Sequence, residues 1–323
     1  MNLPVTDPAE PDYFPPFIDA TMLRDFRNCP QRFYNSHILR IVPRDAEAPD
    51  LVAGGAFAKG LEVTRTSYYA RNKPFDDALA DGLRALTLDY GEQDFYDYKG
   101  NDHKKCYLNT AAALVYYFDA YPVETDPIQP YFTETGIPAI EFSFAIPLPI
   151  NHPQTDLPLL YSGRLDMLGI FHDSLWIVDE KTTSQLGAHW SSSWDLRSQF
   201  LGYTWAAEQH GYTISGSIVR GICFLMHGYK NGEAIMPYKQ YLVERWYQQM
   251  LRDVDRMIRC YHEGYFDYNL DDSCHALYGG CPYRPLCGVL DPAPWIAGDY
   301  VERRWNPLLQ NPAGNLEEEA NVA

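Results

Sequence analysis

The sequence predicts an α/β protein with helices flanking a β-sheet: helical and strand periodicities alternate along it, 46% of its residues are hydrophobic, and 15% are aromatic. A chain of 323 residues is long enough to bury a substantial core. Neither an internal repeat nor a low-complexity linker interrupts it, so one continuous domain is expected over residues 19–305, with a helical insertion at 70–125.

The elements follow in order. Residues 1–18 are rich in proline and acid and read as an irregular arm. From Asp19, the run Ala20-Thr21-Met22-Leu23-Arg24-Asp25-Phe26 reads as a capped helix. Pro30 opens a second helical stretch that carries Phe33, Tyr34, His37 and Ile38. After Gly54-Gly55 a helix is expected from Ala56 through Tyr68-Tyr69, then further helices over 76–90 and 107–120. Alternation of Ile140, Phe142 and Phe144 predicts a strand within 131–150, ended by Pro147 and Pro149. A helix over 196–210 puts Gln199 and Tyr203 on one face, and Gly211 stops it. A strand over 217–226 and a long helix over 240–261 come next. Residues 271–290 form a Cys-, Gly- and Pro-rich loop, and 306–323 read as a solvated, disordered tail.

The formal net charge of −17 and the pI near 4.8 argue against a protein that grips long duplexes by non-specific phosphate contact. A local basic patch survives within that acidic whole: Arg24, Arg27, Arg32, Arg40 and Arg44 stand against Asp25 between Thr21 and Arg44. No stretch approaches about 18 uninterrupted apolar residues, and Met1-Asn2-Leu3-Pro4 lacks a basic segment followed by an apolar one. A cytoplasmic protein with no membrane partner is the expectation.

The chemistry concentrates between Ser162 and Lys181, where Gly163-Arg164-Leu165-Asp166 is followed by an apolar run and then Val178-Asp179-Glu180-Lys181. A hairpin turning at His172-Asp173 sets Asp166 directly opposite Asp179, and alternation puts Lys181 on the same face. Trp176, Val178 and Glu180 then point the other way. Like charges facing each other across a sheet cost up to about 1 kcal/mol, so the pair calls for a compensating cation. Oxygen ligands suit Mg²⁺ or Mn²⁺, an ion that polarises a phosphoryl oxygen and lowers the pKa of a bound water, while the lysine orients or deprotonates that water. The plainer reading is an amphipathic hairpin with a polar solvent face.

Seven cysteines occur, and Cys274, Cys281 and Cys287 crowd into one loop. Three thiolates need a fourth for a tetrahedral zinc site or an iron–sulfur cluster, with Cys29, Cys106, Cys223 and Cys260 as candidates. Cys29 has the best local argument, because it precedes Pro30 at a helix junction beside arginines, where positive charge favours a thiolate. Cys223 in an apolar strand and Cys260 in a long helix read as core residues.

Together these residues resemble the RecB-like branch of the PD-(D/E)xK nuclease superfamily, with its CRISPR-associated and phage exonucleases. Gly163-Arg164-Leu165-Asp166, Asp179-Glu180-Lys181-Thr182, and the pair Gln199 and Tyr203 reproduce its ordered motifs. Cys29-Pro30-Gln31-Arg32-Phe33 and the loop trio match members that carry an iron–sulfur cluster. The resemblance spans roughly residues 20–290. It implies a restriction-endonuclease-like core with a mixed sheet. It assigns Asp166, Asp179 and the Glu180 carbonyl to Mg²⁺ or Mn²⁺, Lys181 to the attacking water, and Gln199, Tyr203 and Arg164 to the DNA strand. It makes Cys29 the fourth ligand, with Cys274, Cys281 and Cys287, of a [4Fe-4S] cluster that clasps the chain rather than moving electrons, zinc being the alternative. The family's metal-reaching histidine, in a Gly-x-x-x-His-x-x-x-Glu segment, aligns with Ala58, and Glu62 lies one turn further on and could take its place.

The function implied is a metal-dependent exonuclease acting on single-stranded DNA or DNA ends in recombination, repair or phage DNA processing, in a bacterial or phage-infected cell. A helicase or annealing protein is a candidate partner. Two other readings are a nucleic-acid-binding or scaffolding protein that has kept the fold and lost competence, and a zinc-stabilised enzyme of unrelated chemistry.

Overall fold

The structure, a computed structural model, describes residues 13–44, 49–91, 103–275, 280–304 and 306. The chain separates into two compact units, each assembled from segments far apart in sequence. One takes Ser143–Arg164 together with the residues before 47 and from 244 onward, and the other takes Glu47–Phe142 and Leu165–Val243.

The first unit starts with strand β1 (Phe17–Ile18) and helix α1 (Ala20–Asn28). Asp19 caps α1, its carboxylate accepting the Met22 N–H at 2.7 Å, and Met22, Leu23 and Phe26 supply the buried face. Pro30 at the first position of α2 (Pro30–Phe33) needs no N–H partner there, and the chain passes through a π-turn (Tyr34–Ile38) into β2 (Ile41–Pro43).

The second unit opens with α3 (Pro49–Arg65), a π-turn over Thr66–Ala70, α4 (Phe75–Tyr90) and α5 (Tyr107–Ala120), of which α4 and α5 fall within residues 70–125. Helix α3 begins well before Ala56, so Gly54 and Gly55 lie inside it rather than ahead of it. Tertiary packing accounts for this, because Ala53, Ala56, Phe57 and Leu61 are buried together with Leu86, Leu114 and Tyr117, which outweighs the glycines' weak helix propensity. Further along the same helix a Cβ at Gly60 would stand 2.7 Å from the Leu114 side chain, and a Cβ at Gly82 of α4 would stand 1.9 Å from Thr64 Oγ1. Helices α3 and α4 thus approach closely where neither carries a side chain.

Strands β3 (Gln129–Pro130), β4 (Ile140–Asn151), β5 (Pro158–Phe171), β6 (Ser174–Thr183), β7 (Ile214–Phe224) and β8 (Tyr229–Pro237) follow, interrupted by α6 (Ser198–Gln209). The strand expected from 131 starts at Ile140, and Pro147 and Pro149 lie within β4 instead of ending it. Both occupy exposed positions that flank the buried Leu148, as a proline at a strand edge can. In the second unit the sheet is mixed. β6 runs antiparallel to β5 and parallel to β7, with β8 antiparallel to β7 and β3 antiparallel to the end of β5. Val178 sits at its centre with Ile128, Met167, Trp176 and Ile218.

Helix α7 (Gln240–Glu263), α8 (Arg284–Cys287), α9 (Ala293–Asp299) and β9 (Tyr300–Glu302) return to the first unit. There β1 pairs parallel with the beginning of β5, Phe17 opposite Leu160, so the arm expected to be irregular ends in a strand. β2 and β9 pair antiparallel beside a small core of Ile41, Tyr283, Leu286 and Tyr300. The rest of the expected arm, up to residue 12, and the expected tail apart from Asn306 lie outside the described residues, as do 92–102 of the insertion and 276–279 of the Cys-rich loop.

Candidate active site

Strands β5 and β6 form the hairpin that the sequence predicts. His172 and Asp173 both take positive φ, 48° and 58°, the conformation that matches a two-residue turn to the twist of its strands. The ladder runs from Phe171 opposite Ser174 to Met167 opposite Val178. One step beyond that ladder come Asp166 and Asp179. There the Asp166 side chain replaces a backbone partner, its Oδ2 accepting the Glu180 N–H at 3.0 Å.

Asp179 is 1% exposed, and its Oδ1 has no hydrogen-bond donor. The Lys181 ammonium lies 2.6 Å from Asp179 Oδ2. Burial pushes Asp179 up to about 7; Lys181 pulls it back down, and the neighbouring Asp166 adds to the rise. Burial likewise raises Asp166. Burial alone would lower Lys181, but the two aspartates hold it above the ordinary ammonium value. Two buried carboxylates share one ammonium, and one oxygen stays orphaned. That donor set fits a hard divalent cation with oxygen ligands.

Glu180 points to the opposite face, as alternation requires. Its Oε1 accepts the Tyr117 hydroxyl at 2.9 Å and the Arg65 guanidinium at 2.5 Å. Burial opposes its ionisation, but Arg65, Arg220 and the Tyr117 hydroxyl more than offset that and hold its pKa below the usual carboxylate value. This partnership has no sequence motif. The signal for it was a charged residue in a central strand facing the helices, because such a residue must find a partner.

The remaining candidates are placed as follows. Gln199 donates to the Tyr203 hydroxyl at 3.1 Å on α6, one turn apart as expected. Arg164 precedes Asp166 by two residues in β5, hence on the same strand face. Glu62 on α3 has both carboxylate oxygens 2.9 Å from the Lys59 ammonium, and among the described residues it has no hydrogen bond or ion pair to Asp166 or Asp179. Ala58 is exposed on the same helix.

Cys29, Cys274, Cys281 and Cys287 all line one cavity in the first unit, with Arg32, Asn35 and Tyr283. The Cys281 N–H donates to the Cys274 carbonyl at 3.1 Å, and the Asn269 N–H points at Cys29 Sγ at 3.4 Å. Burial raises the Cys287 thiol to about 11, and Cys281, Cys29 and Cys274 push it further in the same direction. Four cysteines lining one cavity fit a group that binds thiolates. Among the described residues, no three His, Cys, Asp or Glu side chains are set to hold a single metal ion. Cys106, Cys223 and Cys260 stand apart from this cavity, and the first two are buried.

The chain belongs to the PD-(D/E)XK nuclease superfamily, whose sequence model matches residues 19–288. No curated protein matches significantly. Among solved structures, a presumed exonuclease from Eubacterium rectale is similar at 12% identity and a TM-score of 0.44, over 81% of this chain and 88% of that one. The protein SSO0001 is similar at 10% identity and a TM-score of 0.28, over 72% of this chain and 83% of that one. No helix among the described residues is long and apolar enough to cross a membrane.

Proposed function

We propose that the chain is a metal-dependent exodeoxyribonuclease of the RecB-like branch that hydrolyses phosphodiester bonds on single strands or DNA ends. The observation that carries this reading is the convergence of Asp166, Asp179 and Lys181 beyond the β5–β6 ladder, with Asp179 Oδ1 buried and unpaired, in a member of a nuclease superfamily. Asp166, Asp179 and the Glu180 carbonyl would hold a Mg²⁺ or Mn²⁺ ion, which would supply Lewis acidity to the phosphoryl oxygen and lower the pKa of water. The chain's own groups do the rest. Lys181 holds the attacking water in line with the phosphorus and is itself held by Asp179. Asp166 is fixed by the Glu180 N–H. Gln199, Tyr203 and Arg164 contact the DNA strand, and the net charge of −17 suits threading a strand better than gripping a duplex.

Cys29, Cys274, Cys281 and Cys287 hold a [4Fe-4S] cluster in this reading. A cubane takes one cysteine at each of four irons, so its ligands stand further apart than those of one zinc ion. That suits four cysteines that line one cavity without forming a single-ion site.

Digestion of end-labelled single- and double-stranded DNA with Mn²⁺ or Mg²⁺ tests the assignment. The native chain shortens labelled strands, and Lys181→Ala loses at least ~100-fold in rate. Equal activity in the two removes the catalytic role. The pairing of Glu62 with Lys59 favours one alternative, a nucleic-acid-binding protein that has lost competence. DNA binding without digestion by the native chain supports that alternative.

A further inference from the structure

Behind the catalytic strand, on the face away from Asp166 and Asp179, the second unit carries a row of charges that crosses three strands. Glu180 of β6 stands opposite Arg220 of β7, and Arg220 stands opposite Glu233 of β8. Arg220 is 0% exposed. It grips Asp126 with both terminal nitrogens at 2.6 Å, reaches Glu233 at 3.0 Å, and lies 3.9 Å from the centre of the Tyr121 ring. Arg65, at the end of α3, completes the row, bonding both Glu180 and the Tyr117 hydroxyl. The Tyr117 hydroxyl is the hub. It takes Arg65 at 2.7 Å, lies 3.4 Å from Arg220, and donates to Glu180 at 2.9 Å.

Burying so many charges is costly, and well-packed apolar residues of like volume are commonly as stable or more so. A nearly fully buried glutamate between Asp179 and Lys181 therefore invites an account beyond stability. The backbone of Glu180 provides one. Its N–H is the donor that orients Asp166, and its carbonyl sits in the peptide that joins Glu180 to Lys181. Anchoring the side chain on the helical face fixes the plane of that peptide on the other.

We propose that Arg65 and Tyr117 are positioning residues that hold Glu180 by its side chain, and so set the Asp166–Asp179 pair and the Glu180 carbonyl for a divalent cation. They touch no substrate. The inference rests on the proposed nuclease reading and adds to it a device of this chain that acts from the opposite face of the sheet. Second-layer groups that orient ligands are commonly worth 10- to 100-fold in metal affinity or activity.

The test separates orientation from folding. Arg65→Met with Glu180→Leu removes both charges together and leaves the Tyr117 hydroxyl with Arg220 as its neighbour, so the double variant is expected to fold. Calorimetric titration with Mn²⁺ then reports affinity without catalysis, and steady-state digestion of single-stranded DNA separates kcat from KM. The expected result is a Mn²⁺ Kd raised ~10- to 100-fold and kcat reduced by a similar factor, with KM for DNA unchanged. Tyr117→Phe keeps the shape, removes one hydrogen bond, and should move both quantities in the same direction by about threefold, a milder loss than for the ligand-orienting groups. It decides the matter if the double variant fails to fold. Native Mn²⁺ affinity and kcat in a folded variant overturn the positioning role alone. A native chain that neither binds Mn²⁺ nor cuts DNA overturns the nuclease reading and this proposal with it.

Discussion

Asp166 and Asp179 come from one hairpin, whereas Cys29 and Cys287 come from distant stretches of the chain. Each cluster crowds groups of one kind together, and burial, complete at Asp179 and partial at Cys287, raises Asp179 to about 7 and Cys287 to about 11. The carboxylates rest on a ladder that closes locally, and the distant contact proposed to steady them is the grip of Arg65 and Tyr117 on Glu180. The cysteine cavity exists when Cys29 and the segment that follows it meet residues 268–274 and 281–287 within the first unit. In the proposed reading, one cluster is a local site that chemistry strains, and the other is a long-range clasp on which folding depends.

Substitutions should therefore part company. The largest effect belongs to Cys29→Ser: the binding free energy of a thiolate-held group is folding free energy, so its loss should cost several kcal/mol. Thermal melting and visible absorbance check this together. A brown native protein and a colourless, less stable variant are expected, and an unchanged melting temperature breaks the comparison. Next comes Gly82→Ala in the second unit, where the added Cβ meets Thr64 Oγ1 at 1.9 Å and the Gly60 carbonyl oxygen at 2.7 Å. Overpacking of this kind costs ~1–3 kcal/mol, to be read by urea denaturation.

An effect of similar size at neutral pH, and one that shrinks as pH falls, comes from Asp25. It lies 3.1 Å from His37 and from Arg32, and although burial opposes its ionisation, those partners hold its pKa below the ordinary 3.8. A depressed folded pKa contributes stability above the unfolded value, and that stability disappears as pH falls through the folded one. Asp25→Asn should therefore cost ~1–3 kcal/mol near pH 7, and the difference should close as pH drops below about 3.8. Urea titrations across that range check it, and a difference independent of pH removes the ion-pair account.

What the sequence made legible was mainly what is local. The His172-Asp173 turn and the alternation of Asp179, Glu180 and Lys181 determine the facing carboxylates, and the helices at 20–28, 75–90 and 107–120 follow from their periodicity. Contacts between distant segments were less accessible. Helix α3 absorbs Gly54 and Gly55 because its partners are helices more than twenty residues away. β4 keeps its prolines because their positions face solvent, and Phe17–Ile18 becomes a strand because β5 offers it a partner. The charged row behind Glu180 joins residues from five elements or loops and has no periodicity to reveal it. Cys29 was singled out from its neighbours by a motif rather than by spacing, and the cavity that it lines with the loop trio is a long-range product of folding.

The central claim is that the hairpin carboxylates serve chemistry at the expense of stability. Asp179→Asn tests it most directly, in one preparation assayed for melting and for Mn²⁺-dependent release of nucleotides from uniformly labelled single-stranded DNA. The account predicts a variant that melts no lower than the native chain, because a buried, crowded charge is gone, and that releases nucleotides at least ~100-fold more slowly. Native rates of release from the variant would contradict it.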